Sequence, residues 1–279
     1  MKVSVLTPVY RTDERLLRQM IESVLGQTFA DFEFLLLDDC PDDDRERVIR
    51  SYDDSRIVYL KNDCNLGISE SRNRLLDLAK GEYLAILDHD DQCRPDRLAH
   101  QVAYLDAHPE CGVVGGWTKP TCGDENRYPE LDHEIKLAMM QGSSVWHPAV
   151  MLRKSVLSET GIRYEAEFSP VEDYMLWMRL LSKTAFHNLQ EVLLDYNLHD
   201  SNTSVVHKQL LDRQVCRVRA WAKANLPELY AEYELCREQT FRVRLFGLPI
   251  LKVCCRERSV AVRLFDRLPF LRIDRRCSV

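Results

Sequence analysis

The chain has 279 residues, 45% hydrophobic and 29% charged, a globular balance that excludes wholesale disorder. Its formal net charge of −6 is unevenly spread: residues 237–279 carry +7 and the remainder −13. An acidic body argues against a nucleic-acid enzyme, and a basic end suits contact with something anionic.

The first ~115 residues alternate strand and helix signals. Residues 3–9 form a short apolar run containing Pro8, and Leu16, Leu17, Met20, Ile21, Val24 and Leu25 then recur at helical spacing. A buried strand is predicted over 32–37, ending in Asp38-Asp39, followed by a polar helix and a strand over 56–60. A helix over 68–80 stops at Gly81, read as its C-terminal cap. A strand over 83–87 runs into Asp88-His89-Asp90-Asp91; Pro95 then opens a helix to about residue 108, and 113–114 is a further strand. Such alternation predicts a parallel sheet covered on both faces, with ligands outside the carboxyl ends of its strands. Both acidic clusters fall at such ends.

The second half reads as a loop feeding a strand (142–152), a nearly all-apolar helix (172–182), a strand (191–198) and a helix (208–224). The basic end holds a repeat: VRLFGLPILKV at 243–253 matches VRLFDRLPFLRI at 262–273. It suits paired strand–turn units, a packing subdomain, or a basic-apolar surface for membrane headgroups. The ten Cys include no CxxC pair, so free thiols and no zinc site are expected. The apolar stretches are too short to span a bilayer, and the N-terminus has no secretory h-region, so a cytoplasmic protein is expected.

Several carboxylates at one strand end repel one another unless a cation sits among them, so Asp88, Asp90 and Asp91 read as hard-oxygen ligands for Mg²⁺ or Mn²⁺ or as a solvated turn. Asp91 also suits a cap for the following helix. Asp39 suits a base or ribose acceptor, or plain turn chemistry. Residues 65–73, NLGISESRN, pass from loop to helix and offer free backbone N–H groups and the Arg72 fork. Glu172-Asp173 either cap an apolar helix or set one carboxylate over a cleft as a base. His147 and His199 are each a ligand, an acceptor contact or a structural hydrogen-bonder. GxxxxGK[ST], GxGxxG after the first strand and GxSxG are missing, which argues against P-loop, dinucleotide-binding and α/β-hydrolase chemistry.

In order, SVLTPVY (4–10), SVLGQTFADFEFLLLDD (23–39), NLGISESRN (65–73), GEYLAILDHDD (81–91), VEDYMLWMRL (171–180) and YNLH (196–199) resemble family 2 glycosyltransferases of the GT-A fold. The resemblance spans about residues 1–205. It implies an α/β fold with a mostly parallel central sheet, with a nucleotide-binding half over 1–116 and an acceptor-binding half over 117–205; beyond the resemblance the sequence reads as a helical extension over 206–236 and a small basic appendage over 237–279. The resemblance further implies inverting transfer of one sugar from a nucleotide sugar, most often a UDP-sugar, with Mn²⁺ or Mg²⁺, to a glycan or lipid-linked acceptor of a bacterial surface polysaccharide. Pro8, Tyr10, Asp39, Asn65, Arg72, Asp88 and His89 then fall to the nucleotide sugar, and Asp90 and His199 to the metal. Asp173 becomes the catalytic base, with Glu172 and His147 on the acceptor side. His89 stands where small residues are usual in the DxD motif. The processive-synthase pattern Gln-x-x-Arg-Trp is missing, which favours single-sugar addition. A sugar-nucleotide nucleotidyltransferase and a non-catalytic scaffold are the rival readings. The basic end suggests a peripheral position at the inner membrane.

Overall fold

The computed structural model describes residues 1–42, 44–198, 208–236, 239–245, 248–256, 259–264 and 268–274, the last four segments as backbone. They form two compact units, Met1–Ala222 and Lys223–Val279.

In the first unit, β1 (Val3–Val9) pairs in parallel with β2 (Phe32–Asp38) and β4 (Tyr83–Ile86), and β3 (Ile57–Lys61) adds in parallel to β2. Every residue of β1 and β2 is buried, as expected for parallel strands covered on both faces. Beyond β4 the direction reverses. β7 (Met151–Arg153) runs antiparallel to both β4 and β6 (Cys111–Pro120). β8 (Ala185–Tyr196) is parallel to β6, and the two-residue β5 (Gln92–Cys93) pairs antiparallel with β8. Among the described residues the sheet order is β3-β2-β1-β4-β7-β6-β8-β5, a mostly parallel sheet flanked by helices.

Helix α1 (Glu14–Leu25) starts at Asp13, whose carboxylate accepts from the backbone N–H groups of Arg15 and Leu16. It buries Leu17, Met20, Ile21 and Val24 against the sheet. Truncating Leu17 to Ala would cost about 2–5 kcal/mol. Helix α2 (Arg45–Ile49) is a short surface turn, and α3 (Ile68–Leu78) covers β1. Helices α4 (Arg97–Ala107), α5 (Asp132–Met139), α6 (Lys154–Thr160) and α7 (Glu172–Leu180) complete the flanks. The helix Lys208–Asn225 docks through Val218, Ala222 and Gln214, whose amide donates to the carbonyls of Glu167 and Ser169.

Three local expectations need correction, and two short helices had no counterpart in the sequence reading. Gly81 does not cap α3, which ends at Leu78 with Ala79 extended. A Cβ at Gly81 would meet Ser4 N at 2.4 Å, so glycine there permits the chain to pass over β1. The strand over 113–114 is in fact the ten-residue β6; Gly115 and Gly116 hide it from propensity. They also allow β8 to approach, because a Cβ on Gly116 would lie 2.5 Å from Leu193 Cδ1. β8 begins at Ala185 rather than 191, its register set by β6. Finally, α5 and α6 are too short to carry a clear helical period.

In the second unit, β9 (Gln239–Leu245), β10 (Leu248–Arg256), β11 (Ser259–Leu264) and β12 (Leu268–Asp274) form an antiparallel sheet in the order β12-β11-β10-β9. Each repeat copy forms one hairpin, with a register shift after the proline at Pro249/Leu251 and its counterpart at Val262/Arg263 opposite Pro269. Among the described residues, no helix is long and apolar enough to cross a membrane.

Candidate functional site

The parallel register places the chemistry. Val9 is level with Asp38, and Leu6 with Ile86, so the segments after β1, β2 and β4 leave the sheet at one edge. Tyr10, Asp39 and Asp88 lie on those segments. Pro8 is buried in β1 beside Leu37, while Tyr10 is exposed under the Arg11 guanidinium.

Asp39 is buried, and its carboxylate organises the loop ahead of α3. Oδ1 accepts from Asn62 Nδ2 at 2.7 Å and Leu66 N at 2.8 Å, and Oδ2 accepts from Gly67 N at 2.9 Å. Gly67 has φ 82°, a left-handed conformation that favours glycine. Asn65 is exposed and its Oδ1 also accepts from Gly67 N. Asp38, behind it, is fully buried and accepts from Cys40 N and the Tyr59 hydroxyl.

Arg72, read in the sequence as a fork for phosphate, donates to two carboxylates. Its Nη1 donates to Glu172 Oε1 at 2.6 Å and its Nη2 to Asp88 Oδ1 at 3.0 Å. Arg72 thus ties the end of β4 to the head of α7. Its guanidinium also lies over the Tyr164 ring, 5.5 Å from the centroid. Tyr164 is held from both sides by Asn73, which donates to the Tyr164 carbonyl and accepts from its N–H. His147, on the turn before β7, is buried, with Nε2 2.9 Å from the Tyr164 hydroxyl. Burial, with Arg72 and Arg97 nearby, pushes its pKa well down and keeps the imidazole neutral. His147 also packs against the Trp177 ring of α7, with centroids 5.7 Å apart.

Asp173 opens the first turn of α7, and its Oδ1 accepts from Tyr174 N at 2.7 Å. The residue keeps a partly accessible surface among dense packing. Burial first, then the neighbouring Glu172 charge, pushes its pKa up to about 7. Glu172 Oε2 is buried without a hydrogen-bond partner. A carboxyl poised near neutrality beside a fixed ion pair has the electrostatics of a general base.

Asp91 does not cap a helix. It is fully buried; Oδ1 accepts from Asn197 N at 3.0 Å, and Oδ2 has no partner. Burial and the charges of Asp90 and Asp88 raise its pKa well above the usual range. The Asp90 carbonyl accepts from the Asn197 side chain. The end of β4 thus brings the Asp88 and Asp90 carboxylates onto one short segment, with Asp88 paired to Arg72, a hard-oxygen donor set that fits a divalent cation. Among the described residues, no group of three or more His, Cys, Asp or Glu could hold a metal alone. Mg²⁺-type sites commonly use one or two carboxylates and complete their shell with substrate phosphates and water, a pattern that two carboxylates such as Asp88 and Asp90 can meet. His199 lies outside the described residues.

Sequence reasoning did not single out Asn62, Asn73, Tyr164, Arg97 or Asn197. Arg97 is almost fully buried and donates to the carbonyls of Ile86 and Val150, fixing the exit of β4. The nearest signal for Asn62 was its place directly after β3.

The comparisons agree with this geometry. A relative from Methanocaldococcus jannaschii, an uncharacterised glycosyltransferase, is 31% identical over 221 residues, covering 75% of this chain and 76% of its own. The Escherichia coli UDP-Glc:alpha-D-GlcNAc-diphosphoundecaprenol beta-1,3-glucosyltransferase WfaP is 27% identical over 220 residues, covering 76% of this chain and 83% of its own. The crystal structure of S. aureus TarS 1–349 in complex with UDP-GlcNAc shares the fold with a TM-score of 0.64 at 19% identity, covering 84% of this chain and 79% of that one. The model of "Glycosyl transferase family 2" matches residues 4–180. With the acidic strand ends and the α7 carboxylates in place on a GT-A sheet, the chain belongs to glycosyl transferase family 2 and is a glycosyltransferase.

Proposed function

We propose that the protein moves one sugar, with inversion, from a UDP-sugar to a lipid-linked saccharide acceptor of a bacterial surface polysaccharide, at the cytoplasmic side of the inner membrane. The observation that carries this reading is Asp173: a partly accessible carboxyl, pushed up to about 7, at the head of α7 beside the Arg72–Glu172 pair. The UDP donor and lipid-linked acceptor are supported by the wording of the Escherichia coli relative's name and by UDP-GlcNAc in TarS.

Asp173 takes the proton from the attacking acceptor hydroxyl. That oxygen forms the new bond to the anomeric carbon on the face opposite the leaving group. The bond from carbon to the diphosphate oxygen breaks, its electron pair leaves with UDP, and one displacement inverts the centre. The sugar passes through oxocarbenium character. Pro8, Tyr10, Asp39 and Asn65 shape the nucleotide side. Asp39 acts there by holding the Leu66–Gly67 loop as well as by its own charge. Arg72 holds Asp88 and Glu172 in place. Glu172 and His147 border the acceptor side. Asp88 and Asp90, with His199, would hold Mn²⁺ or Mg²⁺, which when bound supplies Lewis-acid stabilisation of the diphosphate charge.

The test is UDP release from UDP-glucose and UDP-GlcNAc, with and without Mn²⁺, and with and without a polyprenyl-diphosphate-linked GlcNAc acceptor. Acceptor-dependent release that needs metal is expected. Binding of UDP-sugars with no release under any condition would leave a non-catalytic scaffold. Pyrophosphate production from a nucleoside triphosphate and a sugar phosphate would indicate nucleotidyl transfer instead.

A further inference from the structure

We propose that one face of the C-terminal sheet is a docking surface for an anionic lipid bilayer, built around a row of basic residues that crosses three adjacent strands. The register makes the row. Arg242 of β9 is the partner of Lys252 of β10, and Lys252 is the partner of Arg263 of β11. Partnered residues of neighbouring strands share a face, so these three fall side by side on one face of the sheet. Strand periodicity adds Arg244, two residues along β9, and Arg272 of β12, the partner of Ala261, which itself lies two residues before Arg263. Asp274 joins this face only at its far end, opposite Ser259.

Like charges at directly opposed positions destabilise an antiparallel sheet. Here three consecutive strands carry one at the same level, with no acidic residue at a register position between them. An intrinsic stability role is therefore the wrong explanation for the row; a planar negative surface would offset it. The two hairpins repeat the arrangement. Arg244 opposite Pro249 in the first matches Arg263 opposite Pro269 in the second, and Lys252 matches Arg272 in sequence.

The bilayer is favoured over a polynucleotide because residues 1–236 carry a net −13, which repels a polyanion that could wrap the body. A bilayer can meet one sheet face alone, without surrounding the acidic body. This deepens the lipid-linked acceptor reading. The assay contains neither donor nor acceptor, so the two can fail separately.

The experiment is co-sedimentation of the full-length protein with phosphatidylglycerol-rich vesicles and with pure phosphatidylcholine vesicles. Binding to the former alone, lost as salt rises toward about 1 M, is expected. The triple variant Arg242→Gln/Lys252→Gln/Arg263→Gln should bind about a hundredfold more weakly. A matched variant in the body, Arg47→Gln/Arg50→Gln/Arg127→Gln, alters three exposed arginines and should bind like the parent. Arg242→Lys/Arg263→Lys should also bind like the parent, which separates charge from packing. No binding of the parent protein to phosphatidylglycerol vesicles at low salt would overturn the proposal. So would equal losses in the two triple variants, because net charge alone would then explain attachment. Single-stranded DNA that binds the row more tightly than vesicles would reassign the face to nucleic acid.

Discussion

Arg72 Nη1 lies 2.6 Å from Glu172 Oε1 although 100 residues separate the two in sequence. The same guanidinium holds Asp88, so one cation joins the two acidic segments of the site. Arg72→Met would leave two carboxylates without their partner. It should cost about 3–5 kcal/mol of stability, seen as a fall in urea midpoint at unchanged m-value. An unchanged midpoint would mean the pair contributes no net support.

Charges around Asp173 act in known directions. Burial and Glu172 raise its pKa, whereas Arg72 lowers it. Glu172→Gln is close to isosteric and removes the raising charge. The acid limb of the kcat/KM profile, expected near pH 7 in the parent, should move to lower pH in that variant. A limb that stays put would assign the titration to another group.

The same raised pKa has a stability consequence. Between the ordinary carboxylate value of 3.8 and about 7, the folded chain holds a proton on Asp173 that the unfolded chain has released. Stability from this group is therefore complete at acid pH and falls as pH rises through that window. Asp173→Asn escapes the loss. In metal-free protein at pH 8 its Tm should exceed the parent's by roughly 5 °C, with little difference at pH 4. Thermal unfolding at the two pH values decides it.

Asp39→Asn should act on the donor. An amide has one acceptor oxygen where the carboxylate uses two, so either the Leu66 or the Gly67 N–H loses its bond to residue 39, and Gly67 alone keeps a second acceptor in Asn65. A cost of about 1–2 kcal/mol should appear as a raised KM for the UDP-sugar with kcat less affected. A selective fall in kcat at constant KM would place Asp39 nearer the chemistry.

Much of the frame was legible because local signals and fold agree. The continuous apolar runs of β1 and β2 become doubly covered parallel strands, and the acids after β2 and β4 land at their carboxyl ends. Partner choice was not legible. Nothing near Arg72 in sequence says that Glu172 and Asp88 will meet its guanidinium, and nothing near His147 announces Tyr164 beside it. Those pairings are made by β4, α3 and α7 converging. Strand lengths were underestimated where glycine serves close packing, as at Gly115 and Gly116 against β8. The hairpin repeat was visible as a repeat, but the basic row exists only once the register is known.

The most direct test of the account is acceptor-dependent UDP release by Asp173→Asn beside the parent, with UDP-sugar binding measured on the same samples. The account predicts that the variant binds UDP-sugar normally and loses at least about a hundredfold in kcat, the low end of what a general base contributes. A folded, donor-binding variant that turns over near the parent's rate would contradict it.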